Sequence, residues 1–188
     1  MATRMISIVS FLVIAFVATM PASAQFSPQY ELIKAVDKND LTEVQNLMNK
    51  GVSPNTRRKI DGYPVFLIAI NKRYTQAVTL LLENGANPDI RSKDRGKTAL
   101  MFRAEADDVN MVRFLIEHKA NIDLRDKGGE SALLKAVRGR KSRSAKILLE
   151  AGANPNFGDS TGNTALSYAK QTRSKRMIKM LEEAGAKD

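Results

Sequence analysis

Leu80–Asn87 (LLLENGAN), Phe114–Asn121 (FLIEHKAN) and Ile147–Asn154 (ILLEAGAN) are one phrase written three times. Looser copies stand on either side, Asn46–Pro54 (NLMNKGVSP) before them and Lys179–Lys187 (KMLEEAGAK) after them. The loop residues Gly51, Gly85, Lys119, Gly152 and Gly185 recur at intervals of 34, 34, 33 and 33. A second set, Gly62, Gly96, Gly129 and Gly162, recurs at 34, 33 and 33, each member standing 23 residues before its partner in the first set. The extra residues therefore fall in connecting loops, where they do not rotate a buried helical face. A fixed period of this length marks a supersecondary unit that buries its apolar side only against copies of itself.

Each 23-residue unit reads as two helices. The first opens on a turn glycine and a capping hydroxyl, Thr98, Ser131 or Thr164, whose oxygen can accept from the unpaired N–H groups of the first turn. In the second unit Pro64 takes this place and is compatible with a first helical turn. The second helix carries apolar residues at helical spacing, Val78, Leu81 and Leu82 or Val112, Leu115 and Ile116. It ends at Gly85, Gly152 or Gly185, where a left-handed C-cap costs least; Lys119 stands there in one copy at a small strain. At the last unit Glu182 replaces the Leu82, Ile116 and Leu149 of earlier copies, and Lys175, Arg176 and Lys179 share its helix. Glu43, Asn46 and Asn49 make the first unit polar in the same way, so both ends read as caps.

From Ser27 onward these phrases resemble the ankyrin repeat. Its opening motif, Gly-x-Thr-Pro-Leu-His-x-Ala, is matched by GKTALMFR (Gly96–Arg103), GESALLKA (Gly129–Ala136) and GNTALSYA (Gly162–Ala169). Ala99, Ala132 and Ala165 replace the family proline. Leu67, Met101, Leu134 and Ser167 replace the family histidine, which removes one hydrogen-bond network between repeats. Arg103 falls where Ala35, Ala69, Ala136 and Ala169 stand, and is expected to carry its guanidinium out to solvent over a packed stem. The resemblance implies an all-α solenoid of about five helix-turn-helix repeats with short β-turn fingers, the repeats spanning roughly 27–58, 59–92, 93–125, 126–158 and 159–188.

Residues 1–24 read as a signal peptide. Arg4 is the basic head, Ile6–Ala18 the apolar core, Pro21 its break and Ala22-Ser23-Ala24 the small-x-small cleavage pattern, with the cut after Ala24. The core is shorter than the roughly 20 residues that a spanning helix needs. Residues 25–188 are then the repeat domain, and a cysteine-free exported chain belongs in a bacterial periplasm or outside the cell.

Without cysteine the chain has neither disulfides, nor thiolate metal sites, nor a cysteine nucleophile. Its one histidine, His118, stands at an exposed helix end, where a favourable interaction with the helix dipole explains it better than catalysis. Asp107-Asp108 is read as an exposed turn between helices, not a catalytic pair. The Asn and Asp side chains of Asn121–Gly128 are read as binding their own turn backbone, not calcium. No phosphate loop, dinucleotide fingerprint, zinc motif or nucleophile elbow is found, so the chain reads as a non-enzyme without cofactor or metal.

A net charge of +10 favours an acidic partner: a protein face, a polyanion or an anionic lipid surface. Export and an aromatic content of 6% disfavour nucleic acid. The resemblance implies a protein partner docked on the concave surface of loop tips and first helices. Carried over by motif position, the partner-binding residues are Asp61, Tyr63, Arg95, Lys97 and Glu130 from the fingers, with Asn71, Lys72, Glu105, Arg138 and Gln171 from the first helices. Arg57, Arg58, Lys59, Arg91, Lys93, Arg95 and Lys97 form a basic fingertip group, and Arg138, Arg140, Lys141, Arg143 and Arg173 a second one at the turns. Tyr63 is the expected anchor. The chain is expected to be a monomer. The alternatives are a charge-driven polyanion or membrane-surface binder, and, among exported bacterial ankyrin proteins, an escort of a periplasmic stress enzyme or an immunity-type toxin inhibitor.

Overall fold

The computed structural model describes residues 27–187, so the leader reading of 1–24 lies outside the described residues. Ten helices follow one another: α1 (Pro28–Lys38), α2 (Leu41–Asn49), α3 (Val65–Lys72), α4 (Thr75–Glu83), α5 (Ala99–Glu105), α6 (Val109–Glu117), α7 (Ala132–Arg138), α8 (Ser142–Glu150), α9 (Ala165–Gln171) and α10 (Lys175–Glu183). Among the described residues extended pairing is limited to two isolated bridges, Arg57 with Pro64 and Arg125 with Ser131, each at the base of a finger. Odd-numbered helices stack on odd-numbered ones, and each packs on the even-numbered helix that follows it.

The local chemistry sets the helix ends. Thr98, Ser131 and Thr164 cap α5, α7 and α9 by accepting from Met101, Leu134 and Ser167 N–H. Pro64 takes the place of the capping hydroxyl as the N-cap of α3, with extended backbone and no side-chain cap bond, and Val65 is the first helical residue. Gly85, Gly152 and Gly185 are left-handed just past α4, α8 and α10, and Lys119 takes the same conformation past α6 at φ 64°. The turns inside the pairs also reverse through left-handed residues, and here none is glycine: Asn39, Arg73, Asp107, Arg140 and Arg173.

Burial follows the expected stripes. Val78 and Leu81 of α4, Val112 and Leu115 of α6, Ala145 and Leu148 of α8 and Met177 and Leu181 of α10 are buried, while Leu82, Ile116 and Leu149 are half-buried at the edge. Val65–Ile70 of α3 is buried along its whole length, because a first helix is covered by the neighbours on both sides and by its own second helix.

Arg103 is a correction. It is 8% exposed and does not reach solvent over its stem. Its Nη1 stands 3.7 Å from Asp108 Oδ2 and its Nη2 donates to Asn71 Oδ1 at 3.2 Å, while Nε is buried without a hydrogen-bond partner. The Asp108 carboxylate in the adjoining turn and the Asn71 amide of the preceding repeat hold the guanidinium inside, and α3 rests on α5 more thinly than α5 rests on α7.

Candidate functional site

The fingers lie between each second helix and the next first helix, and side chains spaced one repeat apart pin each to its neighbour. Asn55 Oδ1 accepts from Asn87 N–H at 2.8 Å, Asp89 from Asn121 N–H at 2.9 Å, Asp123 from Asn154 N–H at 2.9 Å and Asn156 from Lys187 N–H at 2.8 Å. Asn87 and Asn121 also bind their own turns through Asp89 and Asp123 N–H, as expected for Asx turns. The same residue type therefore shapes one finger and ties it to the next.

A row of arginines repeats this farther out. Arg57 Nη1 donates to Gly62 O at 3.0 Å and to Arg91 O at 3.1 Å, and Arg91 Nη1 donates to Gly96 O at 3.3 Å and to Arg125 O at 2.6 Å. Arg125 lies 5.1 Å from the centre of the Phe157 ring. Lys127 Nζ donates to Lys93 O and Asp94 O, each at 2.7 Å. At Gly129, φ is 78° and a Cβ would stand 2.9 Å from Ser160 N, so the close approach of two finger backbones requires glycine. The basic fingertip group is accordingly smaller than its sequence suggests. Arg57 and Arg91 are spent on carbonyls and Arg58 on Asp61, at 3.0 Å from Nε to Oδ1. Lys59, Lys93 and Arg95 remain exposed there, beside Ile60, whose side chain is 54% exposed.

Six of the predicted partner-binding residues prove to be mutual partners, eight residues apart in three successive units. Asn71 Nδ2 donates to Tyr63 Oη at 2.7 Å, Lys97 Nζ meets Glu105 Oε2 at 2.7 Å, and Arg138 Nη1 meets Glu130 Oε1 at 2.7 Å. Lys97 Nζ also stands 5.4 Å from the centre of the Phe102 ring. Asp61 accepts from Arg58 and from Tyr63 N–H, and Lys72 Nζ meets Asp37 Oδ1 at 2.8 Å. Arg95 and Gln171 are exposed. Burial raises the Tyr63 phenol above its ordinary range, whereas the Glu105 carboxyl lies below its own because Lys97 outweighs the upward push of burial, the largest single influence.

Beneath this surface lies a network that the sequence reading missed. Lys135, whose side chain is 0% exposed, places Nζ 2.7 Å from both Asp126 Oδ2 and Glu130 Oε2. Burial pushes the Asp126 carboxyl up most strongly, yet Lys135 and the Glu130 and Gly128 N–H groups together hold it below the usual range. One repeat later Tyr168 Oη donates to Asp159 Oδ2 at 2.7 Å, the same contact at the same spacing of nine. The Thr161 hydroxyl, Tyr168 and two backbone N–H groups hold Asp159 down to about 2 despite partial burial. A recurring charged or aromatic residue nine positions after a finger aspartate was the available signal.

His118 caps α6: its Nδ1 donates to Phe114 O at 2.8 Å and its ring stacks on Phe114, with 4.1 Å between centroids. The Asp107-Asp108 turn is not simply solvated. Asp107 ties to α8, while Asp108 caps α6 and meets Arg73 Nε at 3.2 Å. Among the described residues no group of three or more His, Cys, Asp or Glu side chains could hold a metal ion, and no helix is long and apolar enough to cross a membrane.

No curated protein matches the chain. The family model described as ankyrin repeats (3 copies) matches residues 32–126 and 104–188. With stacked helix pairs, finger ladders and that match over most of its length, the chain belongs to the ankyrin-repeat family.

Proposed function

We propose that the chain is an exported, non-catalytic binding module that presents its fingers and first helices to an acidic face of a partner protein. Ankyrin repeats generally mediate protein–protein interaction. The observation that carries the reading is the pinned finger row, in which side chains from one repeat hold the backbone of the next at Asn87, Asn121 and Asn154. Such a face is built before a partner arrives, so little ordering entropy is lost on docking. The pairs Tyr63–Asn71, Lys97–Glu105 and Glu130–Arg138 likewise fix their own geometry and leave Lys59, Lys93, Arg95 and the exposed Ile60 to meet a partner. Export rests on the Arg4, Ile6–Ala18 and Ala22-Ser23-Ala24 pattern.

The test is affinity capture from the exported fraction of the source cells, with the tagged mature chain and its Lys59→Glu/Arg95→Glu variant side by side. A protein retained by the first and released by the second supports the reading. Identical recovery by both would remove the fingertips as the docking face. Sequencing the N-terminus of the exported chain checks the cut: Gln25 is expected, and an intact Met1 in that fraction would contradict cleavage.

A further inference from the structure

At the opposite end of the helices from the fingers, a groove of about 480 Å³ runs across the starts of α6, α8 and α10. Five cationic side chains line it, Arg73, Arg113, Arg143, Lys146 and Arg176, together with Asp107, Asp108 and Glu150. The three carboxylates are already taken. Asp107 accepts from Ser144 and Arg143, Asp108 meets Arg73 and Arg103, and Glu150 meets Lys146 at 3.6 Å. Among the described residues neither Arg113 nor Arg176 has a carboxylate within ion-pair distance, and both are exposed. Two guanidinium groups therefore face the groove with a surplus of positive charge. Of the apolar residues in its lining, Val109 is half-buried and offers surface, whereas Ile147 is already buried.

We propose that this groove seats an acidic segment of a partner protein, with Arg113 and Arg176 each gripping a carboxylate and an apolar side chain between them covering Val109. A guanidinium fork matches a carboxylate with two parallel N–H···O bonds. The open part of Val109 favours a peptide over a bare inorganic anion, which gains nothing from it. The carboxylates among the lining residues weigh against a lipid headgroup layer, which favours an uninterrupted basic face. The site goes beyond the finger-face reading, because it lies at the turns within the helix pairs and uses none of the finger residues.

The probe is a fluorescein-labelled decapeptide of alternating glutamate and leucine, followed by anisotropy against the mature chain in about 0.15 M salt. Saturable binding is expected, weakened at least about tenfold by Arg113→Ala/Arg176→Ala and unchanged by Lys59→Glu/Arg95→Glu. Both groove arginines are exposed, so the variant keeps its fold, which circular dichroism verifies. Equal binding by the groove variant, or no saturable binding to wild type, overturns the proposal. Loss confined to the finger variant also overturns it while leaving the finger-face reading standing. If tripolyphosphate, or vesicles rich in anionic lipid, bind as tightly and lose as much with the groove variant, the groove is a general anion site and the peptide assignment fails.

Discussion

Asp107 caps a helix that belongs to the next repeat: its Oδ1 accepts from Ser144 N–H at 3.0 Å and from Ser144 Oγ at 2.9 Å, and Arg143 Nε donates to its Oδ2 at 3.0 Å. Lys141, the N-cap of α8, makes no side-chain cap bond, so Asp107, 37 positions before Ser144, does the work that Thr98 or Ser131 does locally. Asp107 is also left-handed, with φ 55°. The two roles separate by substitution. Asp107→Ala loses the cap and keeps the strain, for about 2 kcal/mol; Asp107→Gly relieves the strain and costs about half as much. Asp107→Asn, able to accept and to adopt this backbone, is mildest. Urea unfolding gives the order, and a glycine variant no better than the alanine one contradicts the strain.

Lys135 is the one ammonium that holds two carboxylates in the described interior, Asp126 and Glu130. Lys135→Met keeps the volume but leaves Asp126 with backbone N–H donors alone and Glu130 with Arg138 as its remaining cation. Breaking such a buried group costs about 3 kcal/mol, far above an exposed pair such as Lys146–Glu150. Denaturant midpoints for Lys135→Met and Lys146→Met decide: similar small shifts would mean that Asp126 and Glu130 find water when Lys135 leaves.

Asp159 sets an acid limit. Its carboxyl is held down to about 2 from an ordinary 3.8, chiefly by the Thr161 hydroxyl and then by Tyr168. The folded state therefore binds this proton more weakly than the unfolded chain. The resulting stability is fully present above pH about 4 and is lost as pH falls through about 2, on the order of 1 kcal/mol after solvent screening. Thermal melts of wild type and Asp159→Asn between pH 6 and pH 2 should differ most at pH 6 and converge at the acid end. A gap that stays constant with pH would rule out the ionised carboxylate as its source.

Lys119 stands where the other second helices have glycine, at φ 64°. Lys119→Gly removes left-handed strain of about 1 kcal/mol against a smaller gain in unfolded-chain freedom, so the midpoint should rise slightly. A fall would show that the Lys119 side chain contributes packing that outweighs its backbone.

What the sequence made legible was whatever is written in local chemistry. The hydroxyl caps Thr98, Ser131 and Thr164, the left-handed residues Gly85 and Lys119, and the buried stripe through Val78 and Leu81 all lie in their expected places. Residues acting across the repeat boundary were harder to read. Nothing local marks Arg73, Arg140 or Arg173 as left-handed, because the turn geometry comes from the packing of the two helices that it joins. The repeat pattern located Tyr63, Asn71, Lys97, Glu105, Glu130 and Arg138 on one face, but not that they pair with one another. Arg103 was misplaced for the same reason: its partners Asn71 and Asp108 come from another repeat and another helix. The groove residues Arg113 and Arg176 lie 63 positions apart, and only the stacking of α6, α8 and α10 brings them to one surface.

Amide hydrogen exchange of the free chain tests most directly whether the finger face is built in advance. Asn87, Asn121 and Asn154 lie in loops, yet each donates its N–H to a side chain of the preceding repeat, and all three should exchange slowly, at rates set by opening of the array. Asp89→Ala should release Asn121 first. Exchange of all three at the rate of free loop amides, unchanged in Asp89→Ala, would contradict a preformed docking face.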